Sequence, residues 1–255
     1  MGKYDSSIYR VRPLMKIVEN DHCAFLKFIS LVSIPSLDPP NTYAYDGEHC
    51  VEKLLKPSKR HLSALIAYMA SKNHSAPTKN EKRNALFFPN PKNPNQRAEA
   101  CLEALAALEE DYRTLSPNSR QWYLFEGFTH PDIFIEGDDY IIICEGKWTE
   151  SNITTTTTHL SSDGEFRNQM IRHIQGALNL GSKKVYAFYI VDEDCGYESQ
   201  LTKESLATQL EMETIKIPSS EKAAILNAFY GYTTWQKIKN AISCVDFKEK
   251  EEIFS

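Results

Sequence analysis

Two short stretches hold residue types that could do chemistry together: His130-Pro131-Asp132, and Glu145-Gly146-Lys147 after 12 intervening residues. Gly137-Asp138-Asp139 lies between two runs rich in Ile, Phe and Tyr, Ile133–Ile135 and Tyr140–Cys144, and reads as a hairpin turn. In a strand, residues two apart share a face, so Glu145 and Lys147 point the same way. If the hairpin turns on Asp138-Asp139, Asp132 lies opposite Glu145. If it turns on Gly137-Asp138, Asp132 lies opposite Ile143, still on the face of Glu145. Either turn puts two carboxylates and an amine at one sheet edge. Two carboxylates with room for water make a hard oxygen site for Mg²⁺ or Mn²⁺. A neighbouring lysine can orient the water, help deprotonate it, and stabilise developing phosphate charge. That equipment suits phosphodiester hydrolysis. The plainer alternative is a surface hairpin with a solvated Glu/Lys pair.

The elements that must position these residues are legible around them. Residues 97–113 have the spacing of an amphipathic helix, with Ala98, Leu102, Leu105, Leu108 and Tyr112 as its stripe. Trp122–Phe125 reads as a strand ahead of the hairpin. Ser162-x-x-Glu165 is a capping-box pattern for a helix striped by Phe166, Met170, Ile171, Ile174, Ala177 and Leu178, which Gly181 ends. Val185–Val191 reads as a buried strand. The order is helix, three strands, helix, strand: an α/β core with helices on both sides of a small mixed sheet. Residues 1–96 read as a mainly helical basic region, with a helix over 12–33 broken near Asn20 and one or two more over 48–73, broken at Pro57. Residues 192–255 read as mainly helical, with Thr233-x-x-Gln236 as a cap and Phe247–Ser255 as a solvated end.

Pro131-Asp132, Glu145-Gly146-Lys147 and this element order resemble the PD-(D/E)xK nuclease superfamily, the restriction-endonuclease-like fold. The resemblance covers residues 97–191. It implies metal binding by Asp132 and Glu145, often with the carbonyl of Gly146, and a catalytic Lys147. Some exonuclease branches carry Gln-x-x-x-Tyr on the following helix, where this chain has Gln169-x-x-x-His173. Gln169, Arg172 and His173 share a helix face. Gln169 is expected to reach the metal site or a phosphate, and Arg172, His173 and Arg167 to contact substrate.

Many members of the superfamily add a carboxylate from the first helix. Glu109 lies about 50° from the centre of the stripe on 97–113, against about 130° for Glu99 and about 170° for Glu103. Glu109 is the best-placed third acid, with Glu126 and Glu99 as rivals. His130 could shape the mouth of the site, and the run Thr154–Thr158 could cover it.

The formal net charge of −5 argues against a nucleic-acid partner only if it is uniform. Residues 1–100 hold 15 Lys+Arg against 9 Asp+Glu, and the remainder 14 against 25. A basic front can hold a polyanion backbone. Six scattered cysteines without a CxxC pair read as reduced packing residues. No stretch reads as a signal peptide or a spanning helix, so a soluble cytoplasmic protein is expected. The expectation is a Mg²⁺- or Mn²⁺-dependent nuclease acting on DNA, with a homodimer as one arrangement common among restriction-type relatives. The alternative is an inactive nuclease-fold module for nucleic-acid binding or assembly.

Overall fold

The computed structural model describes residues 6–71, 95–110, 129–148, 168–213 and 215–248. A π-helical turn, Ser7–Val11, runs into α1 (Arg12–Val18). Asp21 then caps α2 (His22–Ser30) by accepting the Cys23 N–H, which sets the break near Asn20. There follow β1 (Thr42–Tyr45), α3 (Lys59–Ser71), α4 (Gln96–Glu109), β2 (Ile133–Glu136), β3 (Tyr140–Gly146) and α5 (Gln169–Leu178). The order closes with β4 (Lys184–Val191), α6 (Lys203–Met212), α7 (Ser219–Ala228), β5 (Phe229–Thr234) and α8 (Trp235–Ala241).

Among the described residues five strands form one open mixed sheet in the order β1-β2-β3-β4-β5. β1, β2 and β3 are successively antiparallel, while β3, β4 and β5 run parallel. β3 is therefore central and buried on both sides, which is why its sequence is almost continuously apolar. Alternate residues feed two layers. Ile133, Ile135, Ile142, Phe188 and Ile190 pack with Leu14, Phe25, Phe28 and Ile238 on the face covered by α1, α2 and α8. Phe134, Ile141, Ile143, Ala187 and Tyr189 pack with Ile171 and Ile174 of α5, Leu210 of α6 and Ile225 of α7 on the other. A smaller cluster joins α3 to α4 through Leu62, Leu65, Ile66, Ala104 and Leu108.

The α/β class with helices on both sides of a mixed sheet is what the sequence pattern predicts. Several elements differ. β1 lies within the segment read as helical and irregular, and β5 within the tail read as helical, so the sheet draws its two edge strands from outside 97–191. Both are short; Gly231, at φ 80°, interrupts β5. Residues 48–57 form no helix. The cap of α8 is Thr234, which accepts the Lys237 N–H, rather than Thr233. Phe247 is buried against Trp235, with ring centroids 5.7 Å apart, so the segment read as a solvated end begins inside the core.

The largest reversal is α4. It buries Ala100, Cys101, Ala104 and Leu108, and leaves Leu102 67% and Leu105 39% exposed. Small side chains let two helix backbones approach closely, so the Ala/Cys ridge faces α3 and most of the expected stripe faces out. Strand Trp122–Phe125, Glu126, Thr154–Thr158, the Ser162-x-x-Glu165 cap and Arg167 lie outside the described residues. All six cysteines are free. Among the described residues no helix is long and apolar enough to cross a membrane.

Candidate active site

The β2–β3 hairpin turns on Asp138-Asp139: the Gly137 N–H donates to the Tyr140 carbonyl at 3.0 Å, and Ile133 pairs with Cys144. One step further along this register Asp132 lies opposite Glu145, the first of the two alternatives. Asp132 Oδ2 accepts the Gly146 N–H at 2.7 Å. Gly146 is needed for close approach: a Cβ there would sit 3.0 Å from the Trp235 ring and 3.3 Å from Asp132 Oδ2. Lys147 extends the ladder beyond β3, its N–H donating to the Ile190 carbonyl at 2.7 Å. Its own carbonyl accepts the Trp235 indole N–H at 2.9 Å. The site thus sits at the carboxyl ends of parallel strands, the edge where open α/β sheets take ligands.

Glu145 is 3% exposed and Lys147 6%. The Lys147 ammonium donates to Glu145 Oε1 at 2.8 Å and lies 3.4 Å from Gln169 Oε1, so it has two acceptors. Glu145 Oε2 is 2.9 Å from His173 Nε2, and Thr129 Oγ1 is 2.9 Å from His173 Nδ1. The helix that brings Gln169 and His173 here starts at Asn168, whose side chain caps it by accepting the Ile171 N–H. Asn168 is itself held from α6: its N–H donates to Glu213 at 2.5 Å and its amide to Gln209.

The two carboxyls are driven apart electrostatically. Burial and the Glu145 charge hold Asp132 well above the usual carboxylate range, against the pull of Lys147 and the Gly146 N–H. Burial would raise Glu145 too, but the Lys147 cation and the His173 hydrogen bond outweigh it and bring it to about 2. One acid is firmly ionised and its neighbour readily holds a proton. Such a divergence between adjacent acids is characteristic of functional sites. Burial pushes the His173 imidazole down, toward its neutral form.

The structure brings Asp132, Glu145, Gly146, Lys147 and Gln169 together. It does not bring Glu109: that carboxylate is 78% exposed and paired with Lys59 at 2.8 Å, because α4 turns its predicted inner face outward. Glu99 is likewise exposed. Among the described residues, an acid outside the pair whose charge reaches Asp132 is Glu52, in the segment before α3, expected to be helical and found irregular. With exposed His130 it lines a cleft of about 400 Å³ that also includes Asp46 and Cys50. His173 is 0% exposed and Arg172 5%, as deeply placed as Glu145 and Lys147. One turn further along α5, Gly176 packs against Leu55. Thr129, unmarked in the sequence, enters the site because it bridges Leu55 through two backbone hydrogen bonds of 2.8 and 3.0 Å.

Among the described residues no three His, Cys, Asp or Glu side chains gather as a ready metal cage. Mg²⁺ seldom uses one: it keeps several waters and takes one or two carboxylates plus substrate phosphate oxygens. Two adjacent carboxylates beside the Gly146 backbone fit that donor set. No protein-family model, no curated protein and no solved structure matches this chain.

Proposed function

We propose that the protein is a divalent-metal-dependent nuclease that hydrolyses phosphodiester bonds in DNA, built on a restriction-endonuclease-like core. One observation carries the reading: Asp132, Glu145 and Lys147 share one sheet edge, with the two acids held in opposite protonation tendencies. The mixed sheet, with antiparallel β2–β3 leading into a parallel β4 through α5, also supports it.

Asp132, Glu145 and the Gly146 carbonyl would hold Mg²⁺ or Mn²⁺. The ion supplies charge neutralisation at the scissile phosphate and acidifies water. The protein's own groups do the rest. Glu145 keeps its negative charge at neutral pH. Lys147 keeps its ammonium beside that charge, and Gln169 offers it a second acceptor, so it can turn toward phosphate oxygens without losing all its partners. The cleft bounded by Glu52 and His130 would give the backbone of a substrate a place next to the segment that leads into Asp132.

The test is cleavage of plasmid and of linear single- and double-stranded DNA with Mg²⁺ or Mn²⁺. Cleavage is expected, with loss of at least about 100-fold for folded Lys147→Ala. Cleavage unchanged by that substitution, or none by wild type, would overturn the proposal. Metal-independent DNA binding without turnover would instead identify an inactive binding module.

A further inference from the structure

His173 is wholly buried, and it touches the centre of the site. A carboxylate can only accept, so the 2.9 Å contact with Glu145 Oε2 puts a hydrogen on Nε2. In the neutral ring Nδ1 is then an acceptor, and the Thr129 hydroxyl donates to it at 2.9 Å. Thr129 is fixed in turn by its paired backbone hydrogen bonds to Leu55. The chain runs Thr129, His173, Glu145, Lys147.

The geometry points to His173 as a positioning residue that holds Oε2 of Glu145 from inside the fold, with Thr129 fixing the plane of its ring, so that the carboxylate is oriented where it would meet a divalent cation. The inference rests on the metal-dependent reading above and assigns to this chain the specific partner that orients its carboxylate. Groups that orient a metal ligand from behind govern affinity without touching the ion. Glu145 Oε1 accepts from the Lys147 ammonium, and Gln169 is a further acceptor to which the ammonium could turn if a cation were bound.

The experiment is Mn²⁺ titration calorimetry on the full chain, with ring-nitrogen NMR of His173. Wild type is expected to bind and to show the Nε2–H tautomer. His173→Ala should bind about 10–100-fold more weakly. His173→Gln, whose amide can still donate toward Oε2, should recover most of that loss. Because His173→Ala empties a core position and can unfold the chain, Thr129→Val is the second arm. It keeps the volume and touches neither Glu145 nor the ion, but removes the hydroxyl that donates to Nδ1 and steadies the ring. It should weaken Mn²⁺ binding while the proton stays on Nε2 beside Glu145, and Thr129→Ser should restore the affinity. A His173 with a merely packing role would leave affinity unchanged in folded Thr129→Val, which would overturn the inference alone. Wild type that binds no Mn²⁺ would overturn the nuclease reading, and this inference with it.

Discussion

Replacing Asp132 by Asn and Glu145 by Gln removes one ionisable carboxyl in each case, from residues that face each other across the same hairpin. The effects on the metal-free protein should have opposite signs. Asp132 is a carboxyl whose ionisation burial and Glu145 oppose, so at neutral pH its charge costs stability. Asp132→Asn keeps an acceptor for the Gly146 N–H and should stabilise by about 0.5–2 kcal/mol in urea denaturation. A raised folded-state pKa penalises the fold as pH rises above the unfolded value, so the gain should be present at pH 7 and vanish where the unfolded carboxyl is protonated. Glu145→Gln instead leaves the buried Lys147 ammonium without its counter-charge and should cost about 3–5 kcal/mol. In the Asp132→Asn background the acid limb isolates Glu145. Its depressed value means stability present above the ordinary carboxylate range and lost as pH falls from 4.5 toward about 2. Two amide variants of equal stability would contradict the environments described. At this scale Asp132, Glu145 and Lys147 were legible because strand alternation and turn length are short-range arithmetic. His173 was legible only as a face: helical spacing reports direction, not depth of burial.

Gly176 shows how one element controls the site from outside it. In an α-helix interior Gly→Ala ordinarily gains about 1 kcal/mol. Here a Cβ on Gly176 would lie 2.6 Å from Leu55 Cβ and 3.3 Å from the Leu55 backbone carbon. Leu55 cannot simply retreat, because its N–H and C=O both pair with Thr129. Gly176→Ala is therefore expected to destabilise by about 1–3 kcal/mol in spite of propensity. It should also disturb the His173 ring signals, since any shift of Leu55 moves Thr129. A stabilised variant with unchanged His173 resonances would show that the segment 51–57 is freer than its contacts indicate. The elements themselves were unevenly legible. The hairpin, α5 and β4 carry long or strongly patterned signals. β1 and β5 are four and six residues long, and become strands because β2 and β4 offer them hydrogen-bonding edges, a non-local cause that composition does not carry. The cap at Asn168 carries no capping-box signal, since Ile171 follows three residues later; its support comes from Gln209 and Glu213, far along the chain.

Across the whole molecule, the N-terminal turn and the C-terminal segment meet behind the strand that ends in Lys147, and Arg10 joins them. Its guanidinium lies 4.0 Å from the Trp148 ring centroid and 5.2 Å from that of Phe247. It also donates to the Lys248 carbonyl at 2.6 Å. Asp192, Glu193 and Asp194 line the same cleft as Arg10 and bring negative charge to its side of the sheet. Part of the chain's acidic rear thus faces its basic front within the fold, which the division of charge along the sequence does not reveal. Lysine would keep the cation at position 10 but not the planar stack between two rings or the fork of donors. Arg10→Lys is accordingly expected to cost about 1–2 kcal/mol in urea denaturation. It should also raise amide exchange around Trp148 and Phe247 before it raises exchange in β3. The outward ridge of α4 supplies the contrasting control: Leu102→Lys should stay within about 0.5 kcal/mol of wild type, because that side chain is 67% exposed. If the leucine change proved the more damaging of the two, the face of α4 would be a buried one and the assignment of its packing ridge would be reversed.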